Sequence, residues 1–214
     1  MSSAAGRSHL DHLLIGAADL EGASEEFARA TGVRPVYGGR HPRGTHNALV
    51  ALDGGAYLEL VAVRPGATRP ASFPELSPAD GLVPIGWAVA GGELAELRGA
   101  IERAGFALTA PQPGSRVTPA GATLEWRTFG LATKLANAPF FIVWSPATPH
   151  PSTTSPAGCA LRRFAIASPD AEPLGRLATA LALPVEIAPA ATPGFALEVD
   201  CPRGIVTYST QAKT

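Results

Sequence analysis

Two ionisable side chains stand inside strand-like apolar stretches, where their chemistry has to be accounted for. His12 lies in Leu10-Asp11-His12-Leu13-Leu14-Ile15, and Glu59 in Tyr57-Leu58-Glu59-Leu60-Val61. A carboxylate facing inward from such a strand must meet a cation, a donor or a proton, whereas one facing outward is an ordinary solvent-side residue. His12 taken alone reads equally as a hydrogen-bonded core or edge residue, with Asp11 as a surface neighbour. Together, an imidazole and a carboxylate suit general acid–base work, or Zn, Fe, Mn or Ni without choosing among them. His46 and Asn47 come beside Glu59 if Asp53-Gly54-Gly55 closes a hairpin, and pleating lets only one of the two share its face. With Leu52 paired to Ala56, Leu49 falls opposite Glu59 and Asn47 shares its face. A one-residue slip puts His46 there instead, and His12/His46/Glu59 would then resemble the facial triad of a non-haem iron oxygenase.

Other residues could line the same pocket. Trp126, Phe129, Phe140, Phe141 and Trp144 offer an apolar wall, although aromatic strands are core more often than ligand contacts. Arg127, inside an apolar strand, suits a substrate carboxylate or phosphate, or else a structural salt bridge. Arg40 and Arg43, near His41 in the Gly-rich loop before the third strand, could gate or bind an anion, although such loops are ordinarily just solvated, and His150, beside Pro151, could fold back over the pocket. No Gly-rich phosphate loop, G-x-S-x-G elbow or cysteine–histidine couple occurs, so nucleotide and acyl-transfer mechanisms have no support.

The elements that must position these groups are short. Gly (23) and Pro (21) punctuate a chain of 214 residues that is 46% hydrophobic and 16% charged, enough to bury one or two ordinary cores. A net charge of −1 with interspersed signs gives no footprint for nucleic acid or for a membrane surface, leaving small molecules as the expected partners. No apolar run approaches the roughly 20 residues of a bilayer span, and residues 1–7 lack the apolar core of a secretory signal, so a cytoplasmic location is expected. Cys159 and Cys201 read as buried or idle thiols.

Periodicity predicts a strand over 10–16 and a helix over 20–31 opened by Asp19 and stopped by Gly32. Strands follow over 34–37, 47–52 and 56–63, giving β-α-β-β-β. The order then returns: a strand over 84–90, a helix over 93–104, and strands over 124–128 and 140–144. Aligning Leu20 with Leu94 sets Gly86 opposite His12. A third, shorter unit over 159–210 carries a strand at 161–167, a helix at 172–181 and strands at 185–187, 195–199 and 205–209. The modules span 8–64 and 83–146, and the Pro/Ser-rich connectors 65–82 and 147–158 read as surface crossings.

Paired βαβββ modules resemble the vicinal oxygen chelate superfamily, which includes glyoxalases, bleomycin-resistance proteins and extradiol dioxygenases. His9-Leu10-Asp11-His12-Leu13-Leu14-Ile15 resembles its first strand. Gly44-Thr45-His46-Asn47-Ala48-Leu49-Val50 and Tyr57-Leu58-Glu59-Leu60-Val61 resemble the third and fourth strands of its glyoxalase-like branch. Leu124-Glu125-Trp126-Arg127 and Pro139-Phe140-Phe141-Ile142-Val143-Trp144, with His150-Pro151 beyond, are similar to the second module. The resemblance implies an α+β fold whose tandem modules form a curved mixed sheet, pairing within one chain or between two, so that a homodimer is permitted. It also implies a divalent metal on the first and fourth strands, with His12 and Glu59 in those positions, and it favours Asn47 over His46 as the inward residue. Gly86 and the apolar 141–143 stretch stand where the second half of a symmetric four-ligand site would be. Two functions follow. One is a metal-dependent lyase, isomerase or oxygenase on a small oxygenated substrate, or Glu59 as a general base without metal. The other is metal-free sequestration of a small aromatic or hydrophobic molecule, as in the bleomycin-resistance branch.

Overall fold

A computed structural model describes residues 8–210; the N-terminal stretch 1–7, on which the reading about a secretory signal rests, lies outside them. The first module runs β1 (His9–Gly16), α1 (Leu20–Thr31), β2 (Val36–Arg40), β3 (Thr45–Ala51) and β4 (Tyr57–Val63). The second runs β5 (Val83–Ala90), α2 (Leu94–Arg103), β6 (Gln112–Val117), β7 (Thr123–Phe129) and β8 (Phe140–Trp144). Helix α1 has the expected bounds because Asp19 accepts from Gly22 N and Gly32 takes φ 80° at the C-terminus. Strand β6 is an addition to the sequence reading. Its Pro113-Gly114 resembles a turn, but an edge strand tolerates proline, and Gly114 leaves room for the Trp126 ring across the ladder.

The eight strands form one sheet in the order β2-β3-β4-β1-β5-β8-β7-β6. In each module the first and last strands pair in parallel, as β1 with β4 and β5 with β8. Strands β1 and β5 join the modules antiparallel, with His12 opposite Ala88, Leu13 opposite Trp87 and Leu14 opposite Gly86. That symmetric pairing centres a local two-fold on Leu13 and Trp87, so Gly86 is the counterpart of His12 and Ala88 of Leu14. Carried across the parallel pairs, where Leu14 faces Glu59 and Ala88 faces Phe140, the counterpart of Glu59 is Phe140.

The outer face of this sheet is the core. Leu13, Ile15, Leu58, Leu60, Trp87 and Phe141 pack there under the helices. A smaller sheet covers the same side, built from β9 (Ala160–Ser168), α4 (Ala171–Ala180), β10 (Glu186–Pro189), β11 (Gly194–Cys201) and β12 (Gly204–Ser209), after the single-turn helix α3 (Pro151–Thr154). Phe164 meets Trp87 and Tyr208 stacks on Phe27 across that layer. The third unit has the βαβββ element order, but β9 lies between its parallel partner β10 and its antiparallel partner β11, in the order β10-β9-β11-β12. It is therefore a lid on the core with its own pairing, different from that of the two modules. Cys159 and Cys201 are both buried free thiols. Among the described residues no helix is long and apolar enough to cross a membrane.

The sheet curls until its two edges meet. Arg116 of β6 donates to Gly38 O of β2, and a Cβ on Gly39 would come within 2.7 Å of Val117 O. Gly39 has φ 138°, and Gly55, in open space, has φ 89°. Gly55→Ala should cost about 1–2 kcal/mol from backbone strain alone. Gly39→Ala should cost a further 1–3 kcal/mol, roughly, because the seam must open to admit the methyl group. Urea denaturation of the two variants side by side checks the difference.

Candidate active site

The inner face of the curled sheet carries the polar cluster. The pairing of Leu52 with Ala56 and of Leu49 with Glu59 is the register that places Asn47 inward. Asn47 Nδ2 donates to Glu59 Oε1 at 2.9 Å. His46 lies on the opposite face of β3, edge-on to Tyr37, so the His12/His46/Glu59 set is not brought together. His41 stands there instead. It is held through Nδ1 by Thr45 Oγ1 at 2.8 Å, and its Nε2 lies 3.6 Å from Glu59 Oε1.

Regular alternation would turn Asp11 away from His12. Leu10 pairs with Val89 and His12 with the next residue back, Ala88, so Asp11 is the extra residue of a β-bulge. The bulge brings both side chains together. Asp11 is fully buried, and its Oδ1 is 2.5 Å from His12 Nδ1. Its Oδ2 accepts from Trp144 Nε1 and meets His150 Nε2, both at 3.0 Å. The surface-neighbour reading of Asp11 is thus corrected. His150 does fold back: it caps α3, and Pro151 beside it is buried. Burial would raise the Asp11 carboxyl, but the hydrogen bonds and charges of His12 and His150 outweigh it and hold the group well below the usual carboxylate range.

With Nδ1 on Asp11, the other nitrogen of His12 points at Glu59, with Nε2 and Oε2 3.4 Å apart. His12 is 3% exposed and Glu59 7%. The His12 ring stacks on Tyr57 at 4.6 Å and meets the edge of Phe140 at 5.4 Å. Burial, with Asp11 and Glu59 near, keeps the Tyr57 phenol neutral well above its ordinary value. Burial lowers the His41 imidazole below its ordinary value, and Arg116 and His12 add to this against the attraction of Glu59. Arg116, only 6% exposed, faces the same side; burial lowers its value and Glu59 opposes that shift, leaving the guanidinium charged. Neither Tyr57 nor Arg116 stood out in the sequence as a site residue.

The rest of the inner face is apolar. Trp126, Phe140 and Trp144 are half-buried there around Ala88, Ala90 and Ile142. Three expected pocket residues lie elsewhere. Phe129 and Phe141 are buried on the outer face, stacked on each other at 5.1 Å, and Arg127 is exposed on that same side, because each is one residue out of phase with the cup. The symmetric metal site implied by the resemblance does not fit this donor set. Gly86 and Phe140 replace the second imidazole and carboxylate, both Glu59 oxygens already face protein nitrogens, and among the described residues no group of three or more His, Cys, Asp or Glu is arranged to hold an ion.

Because the Asp11 carboxyl is depressed in the folded state, its stabilisation is fully present above the unfolded value near 3.8 and is lost as pH falls through the lower folded value. Asp11→Asn should therefore be destabilised by about 3–5 kcal/mol at pH 7. The gap from wild type should narrow steadily below pH ~4, as read from urea midpoints across the acid range.

A family model described as glyoxalase-like domain matches residues 10–182. A search of curated proteins gives no match. Among solved structures, a hypothetical protein from Staphylococcus aureus is similar at TM-score 0.64 and 11% identity, over 97% of this chain and 87% of its own. The Mn(II)-bound glyoxalase from Novosphingobium aromaticivorans aligns at TM-score 0.51 and 12% identity, over 94% of this chain and 81% of its own. A Streptomyces coelicolor methylmalonyl-CoA epimerase covers 65% of this chain and 96% of its own at TM-score 0.45 and 15% identity. With most of its length matched by the model and its two modules paired as described, the chain belongs to the glyoxalase-like domain family of the vicinal oxygen chelate superfamily.

Proposed function

We propose that the cup binds a small oxygenated molecule and that Glu59 transfers a proton at the carbon beside its carbonyl. The observation carrying this reading is the Asp11–His12–Glu59 line: a buried carboxylate orients an imidazole whose second nitrogen faces a second carboxylate, at the edge of an aromatic wall. The same logic orders acid–base groups in other enzymes, where a buried carboxylate selects the imidazole tautomer and the imidazole serves the reacting group. In the proposed step Glu59 takes the proton from carbon, the C–H electron pair becomes the carbon–carbon double bond and the carbonyl π pair moves onto oxygen; His12, carrying a proton on each ring nitrogen in this step, keeps Nδ1–H on Asp11 and donates Nε2–H to the resulting enolate. Return of the proton from Glu59 completes an isomerisation or exchange without any oxidant. The half-buried Trp126, Phe140 and Trp144 would exclude water and hold the apolar part of the molecule. Asn47, which donates to Glu59, positions the base. Sequestration without turnover is the competing reading, and the same cup would serve it.

Proton exchange separates the two. In deuterated buffer, the wild-type protein should wash deuterium into the methylene of 2-oxobutyrate, followed by NMR, faster than buffer alone. Glu59→Gln should slow the catalysed rate by about a hundredfold to ten-thousandfold. Wild-type binding of 2-oxobutyrate without any catalysed exchange would favour sequestration. Elemental analysis checks the metal-independent form of the proposal. The wild-type protein after dialysis against chelator should keep its exchange activity, and a stoichiometric divalent ion lost together with activity in His12→Ala would replace it with a metal-dependent reading.

A further inference from the structure

The seam between β2 and β6 holds a groove of about 330 Å³ lined by Arg40, His41, Arg64 and Arg116, with Pro42, Ser115 and Val117 completing it. Three arginines converge on it in a protein whose net charge is −1. Elsewhere, Arg34, Arg162 and Arg163 each hold a carboxylate. Among the described residues, Arg40, Arg64 and Arg116 hold none within ion-pair distance, although Arg116 is only 6% exposed. Arg64 Nε is buried without a hydrogen-bond partner. Arg116 gives one N–H to Gly38 O and feels Glu59 only from beyond ion-pair distance, so its buried guanidinium is costly unless an anion completes it.

The groove shares a wall with the cup. His41 lines it while its Nε2 lies 3.6 Å from Glu59, and Arg116 is inward from β6, on the face of Leu124 and Trp126. We infer that the Arg40/Arg64/Arg116 groove binds an anionic oxyacid group, a carboxylate or a phosphate, on the molecule whose reacting carbon occupies the cup. This rests on the reading of the cup as a ligand site and adds the class of ligand: a small acid or phosphate ester bearing a carbonyl. The guanidinium forks suit such oxygens bidentately. His41 lines the groove with its Nε2 toward Glu59, so that its ring stands between the bound anion and the base.

Isothermal titration of the full chain with inorganic phosphate and, separately, with oxalate tests the groove without requiring turnover. At least one of the two should bind saturably. Binding should weaken roughly tenfold or more in Arg40→Gln/Arg64→Gln, through loss of charge-assisted hydrogen bonds, and should be at least as tight as wild type in Glu59→Gln. A preference for phosphate identifies a phosphate ester and a preference for oxalate a carboxylate. If the double variant fails to fold by circular dichroism, Arg40→Gln alone, at an exposed position, should still weaken binding. The inference is overturned if neither anion binds saturably, or if the arginine variants bind as wild type does. Anion binding without 2-oxobutyrate exchange would leave the groove standing and remove the proton-transfer reading; exchange without anion binding would do the reverse.

Discussion

A carboxylate with no exposure to solvent has to be met by donors from the protein, and the arrangement around Asp11 follows from that requirement. Its partners come from separate places: His12 from the adjacent position on the first strand, Trp144 from the end of the second module, and His150 from the connector after it. The charge therefore ties the two modules and the second connector to one point. It also orients the imidazole of His12, directing the far nitrogen toward Glu59. Replacing one partner would leave a buried charge short of a donor, which is why such groups are far more expensive to break than exposed ion pairs.

The doubled fold offers two equivalent places for a polar pair and furnishes only one. About the two-fold at Leu13 and Trp87, His12 and Glu59 have Gly86 and Phe140 as counterparts. The loss of polar groups in the second module has a positive consequence. Phe140 presents its edge to the His12 ring, and with Trp126 and Trp144 it makes the apolar surface against which a ligand would lie. The inner face thus carries ionisable groups on one wall and aromatic rings on the other. Closure of the sheet adds the remaining ingredient by carrying Arg116, from the far edge, to the side of the cup where His41 and Glu59 stand.

Much of the fold was legible in the chain because local signals agreed with the tertiary ones. Asp19 and Gly32 bound a helix wherever it packs, and the repeat of β-α-β-β-β announced the doubled sheet. Strand β6 was hidden because Pro113-Gly114 and a polar composition carry turn chemistry, and only the adjoining β7 ladder makes that segment a strand. With β6 unread, Arg116 had no place in the site. Arg127 and Phe141 illustrate the converse: both lie in strands that were read, but a period of two makes a one-residue error of phase a change of face.

The amino-acid sequence by itself determined the two modules, the strand positions of His12 and Glu59, and the apolar character of the second half, since these depend on composition, period and local caps. The tertiary structure alone decided which side chains meet. Whether Asn47 or His46 faces Glu59 depended on pairing register, and the joining of Asp11 to His12 depended on a bulge defined only against the partner strand. The arginine groove depended on the curl that brings two edge strands together. Each of these is a relation between segments distant in the chain, and no local pattern encodes it.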